Sequence, residues 1–159
     1  MQRIIAGVLA ILLAACAASG NGRDRVGRCL QIRQFPTASF VAQVPLPEDG
    51  VFSLSFIHSV SRTPVRDDYR CDGERIVQTA ESFRAHGAGL PSGADEPGVS
   101  AWEQHDGWFV IRMRREIPRL VVRTDRNYRN RLHVQGKEID LNRWPDQALE
   151  LVVVTCAVP

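Results

Sequence analysis

The sequence predicts an all-β domain, a single antiparallel β-sandwich or a partly open β-barrel. Three observations carry this. Short runs alternate between apolar and polar residues, as in Val51–Ile57, where Phe52, Leu54 and Phe56 share one face. Turn signals punctuate these runs at Asp72-Gly73, Asp106-Gly107 and Gln135-Gly136. No stretch sustains a helical period, and many short strands with regular turns suit a sandwich or barrel.

Taken in order, Cys29–Gln34 and Ser39–Val44 read as short strands on either side of Phe35-Pro36-Thr37. Pro45, Pro47 and Asp49-Gly50 break the chain before the Phe52 strand. Ser61–Pro64 is a turn, and Val65–Cys71 returns. A type I′ turn at Asp72-Gly73 would set Cys71 opposite Glu74, Tyr69 opposite Ile76, Asp67 opposite Gln78 and Val65 opposite Ala80. Asp67 and Gln78 are then polar residues on the inner face, where polar groups need partners. Residues Ser92–Ser100 form a surface loop. Further strands are expected at Ala101–Gln104, Trp108–Met113, Leu120–Arg123, Leu132–Val134, Glu138–Leu141 and Leu149–Cys156.

The 159 residues suit one domain, with 44% hydrophobic and 24% charged residues. A net charge of +2 implies no obligatory anionic partner and argues against nucleic acid. Residues 1–15 read as a targeting segment: a basic start at Arg3, an apolar run Ile4–Leu13 too short to span a bilayer, then Leu13-Ala14-Ala15-Cys16. That box resembles the bacterial lipoprotein signal, in which the cysteine carries lipid and anchors the chain to a membrane. Ala17 in place of aspartate points to the outer membrane, on its periplasmic face. The alternative is plain secretion with Cys16 incidental. Residues 16–28 read as a flexible tether, with the domain starting at Cys29.

Export places Cys29, Cys71 and Cys156 in an oxidising compartment. They form no CxxC pair, so no zinc site is expected. A Cys29–Cys156 bridge would join the first and last strands. The alternative is three buried thiols.

His58 ends the apolar Phe52 row, and with Asp67, Tyr69, Gln78 and His86 it forms the candidate binding constellation, joined by Ser59, Gly87 and Gly89. A histidine near a carboxylate suits a base or a ligand clamp. No glycine-flanked elbow surrounds Ser59. The alternative is a structural His58, hydrogen-bonded to Asp67 or a backbone carbonyl. Gly87-Ala88-Gly89 lacks the lysine and helix of a phosphate loop and reads as a tight turn. The arginines at 112, 114, 115, 119, 123, 126, 129 and 131 form a basic stretch. They suit either an anionic surface or the solvated faces of two strands.

Ile57-His58-Ser59-Val60, Thr63-Pro64-Val65 with Asp67 and Tyr69 behind it, and Gly87-Ala88-Gly89-Leu90-Pro91 occur in order. In these the chain resembles the family called domain of unknown function 1850, from about Cys29 to the C-terminus. Asp67 stands where that family often has glutamate. The resemblance implies a small exported protein with no settled activity, of a kind often encoded beside TRAP-type transporters, and hence a link to solute uptake. The sequence thus predicts a module that binds a small anionic solute or a membrane or periplasmic protein partner, without cofactor. The alternatives are a small hydrolase-like enzyme using His58 with Asp67, and a purely structural envelope lipoprotein.

Overall fold

The computed structural model describes residues 25–158. The targeting segment, Cys16 and most of the expected tether lie outside the described residues. The described chain forms eleven strands and two short 3-10 turns. The strands are β1 (Arg25–Gln34), β2 (Ser39–Pro45), β3 (Val51–Ile57), β4 (Pro64–Asp72), β5 (Arg75–Phe83) and β6 (Val99–His105). They continue with β7 (Trp108–Ile117), β8 (Leu120–Thr124), β9 (Arg131–Val134), β10 (Lys137–Asp140) and β11 (Gln147–Val158). The 3-10 turns are η1 (Arg126–Tyr128) and η2 (Leu141–Arg143). β1 takes in Arg25–Arg28, which the sequence assigns to the tether, because this segment pairs with the end of β11.

Two antiparallel sheets form a sandwich that does not close into a barrel. One has four strands in the order β2-β1-β11-β8, the other seven in the order β10-β9-β3-β4-β5-β7-β6. A disulfide joins Cys29 on β1 to Cys156 on β11, with Cα atoms 5.9 Å apart. Cys71 is buried and free.

The larger sheet is wider than the smaller one can cover, and the core is accordingly split. One cluster fills the space between the sheets, with Leu30, Ile32, Leu149 and Leu151 meeting Phe52, Leu54, Tyr69 and Leu132. A second cluster, Val65, Phe83, Ile111 and Met113, lies farther out on the large sheet. Leu90, from the loop after β5, packs against it. Burying a leucine or phenylalanine contributes about 1.5–3 kcal/mol, so the first cluster holds the two layers together and the second ties the loop after β5 to the large sheet.

Two hairpins follow the expected turn chemistry. Asp106 and Gly107 both take positive φ, as do Gln135 and Gly136, which is the type I′ requirement. The β4–β5 hairpin differs. Asp72 pairs with Arg75, so the turn is Gly73-Glu74, and of these only Gly73 has positive φ. Asp72 stays in the strand, where its carboxylate takes Arg75 at 3.0 Å and Arg114 at 3.3 Å. The expected pairs therefore shift by two. Cys71 faces Ile76 and Tyr69 faces Gln78, which leaves each residue on its expected face. Beyond Gln78 a β-bulge at Thr79 breaks the alternation, so Asp68 pairs with Ala80, Asp67 with Glu81 and Val65 with Phe83.

Candidate functional site

The bulge builds the site. Plain alternation from Gln78 would send Glu81 to the outer face and keep Ala80 inside. With Thr79 as the extra residue, its hydroxyl donating to the Asp68 carbonyl at 3.1 Å, Glu81 turns inward beside Asp67. Glu81 is only 6% exposed. Two carboxyl groups thus form one cross-strand pair between the two apolar clusters.

Their hydrogen bonds are asymmetric. The Tyr69 hydroxyl donates to Asp67 Oδ2 at 3.3 Å, and the Gln78 amide donates to Asp67 Oδ1 at 3.2 Å. Tyr69 is held in turn by its stack on Phe52, ring centroids 5.1 Å apart. Burial pushes the Asp67 carboxyl up to about 6, against the lowering effect of the Tyr69 hydrogen bond. Burial pushes Glu81 up to about 7, with the nearby Asp67 charge adding to it and Arg115 opposing. Burial, then the Asp67 charge, also holds the Tyr69 phenol protonated well above its ordinary range. These shifts favour a shared proton in the carboxyl pair over two charges, so the site offers donors as well as acceptors.

A cavity of about 540 Å³ opens onto these groups. It lies at β8, the edge strand of the smaller sheet, where that sheet stops covering the larger one. Asp67, Gln78, Glu81 and Arg115 supply its polar wall, while Leu54, Phe56, Leu120 and Val122 supply apolar surface. Arg115 comes from β7, opposite Gln78, and its guanidinium lies 3.9 Å from Glu96 of the loop before β6. Arg123 and Tyr128 line the cavity from β8 and η1. The Arg62 guanidinium sits over the Tyr128 ring at 5.8 Å, linking the β3–β4 loop to η1.

Asp67, Tyr69 and Gln78 stand where sequence reasoning expects them, on one inner face and in contact. Ser59 and Gly89 also line the cavity. His58 lines it, but both ring nitrogens are taken by backbone. Nδ1 accepts from Val60 N at 3.2 Å and Ser61 N at 3.1 Å, which leaves Nε2 to donate to the Ala88 carbonyl at 3.1 Å. Among the described residues His58 makes no hydrogen bond to Asp67, the contact that the enzyme alternative uses. Gly87 packs against the His58 ring, where an added Cβ would come within 2.6 Å of Cε1. His86 lies away from the cavity, exposed, and stacks on Trp102 and Phe109 at 6.0 and 4.5 Å.

Glu81, Arg115, Arg123 and Tyr128 have no role in the sequence-based site. Arg115 and Arg123 stand out in the sequence only as members of a basic stretch. Glu81 carries no local signal, because the bulge that turns it inward contains no glycine.

The model of the family described as Domain of unknown function (DUF1850) matches residues 52–141, more than half of the chain. The chain belongs to that family. No curated protein and no solved structure matches it. In this DUF1850 chain the matched segment runs from Phe52 on β3 to Leu141 at η2, and so contains the carboxyl pair, Gln78, Arg115 and the cavity edge at β8.

Proposed function

We propose that this chain is an exported binding module that holds a small polar solute in the cavity at β8, and that it serves solute uptake at the periplasmic face of the cell envelope, anchored through Cys16. The observation that carries the reading is the Asp67–Glu81 pair beside open volume. Two buried carboxyl groups facing each other across a ladder oppose each other's ionisation, and groups perturbed in this way cluster at functional sites. The cavity mixes apolar walls with a few convergent polar groups, the composition of a small-molecule site.

The lining narrows the solute. Arg115 and Arg123 suit a carboxylate, which a guanidinium can bind through two parallel hydrogen bonds. The Asp67–Glu81 pair, with Gln78 beside it, suits a hydroxyl or ammonium group on the same molecule. A small hydroxy or amino acid satisfies both. The test is calorimetric titration of the full chain with such acids, beside Asp67→Asn and Arg115→Gln. Binding of one of them, weakened at least tenfold by either substitution, is the expected result. Binding that ignores both substitutions, or none across the series, overturns the assignment.

A further inference from the structure

We propose a second ligand site in this protein, a phosphate-binding site formed by Arg126, Arg129 and Arg143 where η1 meets η2. It is separate from the cavity at β8 and does not rest on the solute-binding reading. The basic stretch divides into arginines that meet a carboxylate, Arg123 at the β8 cavity, and Arg126 and Arg129, which Arg143 joins from η2. Arg112, Arg114, Arg115, Arg119 and Arg131 each meet a carboxylate, on Glu103, Asp72, Glu96, Glu150 and Asp140 respectively. Among the described residues Arg126, Arg129 and Arg143 take part in no ion pair. These three, remote in part along the chain, converge on one open cavity of about 500 Å³.

Four arginines and one aspartate line that cavity, a net charge of +3. The aspartate is already engaged. Asp140 Oδ1 accepts from Arg131 Nη1 at 2.6 Å and caps η2 through Asn142 N at 2.8 Å. It therefore neutralises Arg131 and leaves the other three guanidinium groups free.

The framework beneath them is fixed. Asn142 Nδ2 donates to the Asp125 carbonyl at 2.6 Å, and Leu141 N donates to the Asn130 carbonyl at 3.1 Å, which locks η2 onto η1. Arg129 holds a left-handed backbone at φ 48, unfavourable for a non-glycine residue and frequent where a side chain must be aimed. The Arg143 guanidinium rests over the Trp144 ring at 5.2 Å, which restricts it before any ligand arrives. Three like charges held together repel, and a multiply charged anion relieves that repulsion. Planar guanidinium groups match the oxygens of a phosphate in fork geometry. The phosphate could be free or carried on a lipid headgroup.

The experiment titrates the full chain with inorganic phosphate and follows the arginine Nε–H signals by NMR, with chloride at matched ionic strength as control. In parallel, flotation with vesicles of phosphatidylcholine, with and without equimolar phosphatidylglycerol, compares wild type with Arg126→Gln/Arg129→Gln/Arg143→Gln. Saturable shifts at these three arginines with phosphate, absent with chloride, assign a free phosphate. No such shifts, but at least tenfold weaker binding of the variant to anionic vesicles alone, assign a headgroup. Shifts that chloride reproduces, or none together with vesicle binding equal in both proteins, overturn the proposal. If the triple variant does not fold, Arg126→Gln/Arg143→Gln, which leaves the left-handed Arg129 in place, takes its part in the vesicle comparison.

Discussion

Asp67 faces Glu81 across the β4–β5 ladder, two buried carboxyl groups in one cross-strand pair. Both have folded-state pKa values above their ordinary ones, about 6 and about 7. The folded state therefore binds more protons than the unfolded state between the ordinary carboxylate range and pH about 7. The stability linked to these groups is fully present below the unfolded values and is lost as pH rises through the folded ones. We expect the melting temperature to fall over that window, and Asp67→Asn/Glu81→Gln to flatten the fall. A double variant that tracks wild type across the window would remove the pair as its cause.

Thr79 is the residue that turns Glu81 inward. Inserting one alanine between Ala80 and Glu81 should undo that turn, returning Glu81 to solvent and carrying Phe83 out of the second apolar cluster, where it is fully buried. Losing that ring costs about 3–5 kcal/mol. The expected outcome is a large drop in the urea midpoint and weaker near-ultraviolet circular dichroism from the cluster around Trp102. An insertion variant with wild-type stability would show that β5 absorbs the added residue without a change of face.

His58 and Gly87 should behave as a coupled pair. Gly87→Ala drives a Cβ into the imidazole, while His58→Ala removes that obstacle along with three hydrogen bonds to backbone. Each single change should destabilise by roughly 1–3 kcal/mol, and the double variant by clearly less than their sum. Strict additivity in denaturant unfolding would mean that the two loops relax independently.

Much of this fold is legible in the sequence, because alternation and turn chemistry are local. Every expected strand is present, and the inner-face placement of Asp67, Tyr69 and Gln78 survives a turn displaced by one residue, since a shift of two in pairing preserves side-chain direction. What is not legible is tertiary. A bulge without glycine leaves no trace around Thr79, so Glu81 reads as an outward residue. Arg115 arrives from a strand far along the chain. The cavity itself arises from a seven-stranded sheet meeting a four-stranded one. His58 shows the limit of residue type as a guide. Its position on the row is readable, but the backbone groups that occupy both its nitrogens come from two loops whose paths the sequence does not specify.

The Cys29–Cys156 bridge closes nearly the whole domain, with a sequence separation of 127. In the chain-entropy model a loop of that length restricts the unfolded state enough to contribute about 4–5 kcal/mol. Cys29→Ser/Cys156→Ser should therefore lower the unfolding free energy by several kcal/mol while leaving the cavity at β8 intact, since the bridge sits on β1 and β11, away from it. Cys71 supplies an internal reporter for the same experiment. It is buried, and burial pushes its thiol up to about 11, so it should react with a thiol reagent only as the protein unfolds. The rate of Cys71 labelling at pH 8 should then rise in the bridge-less variant by about tenfold for each 1.4 kcal/mol of lost stability. Labelling that stays as slow as in wild type would mean that the two end strands hold together without the covalent link.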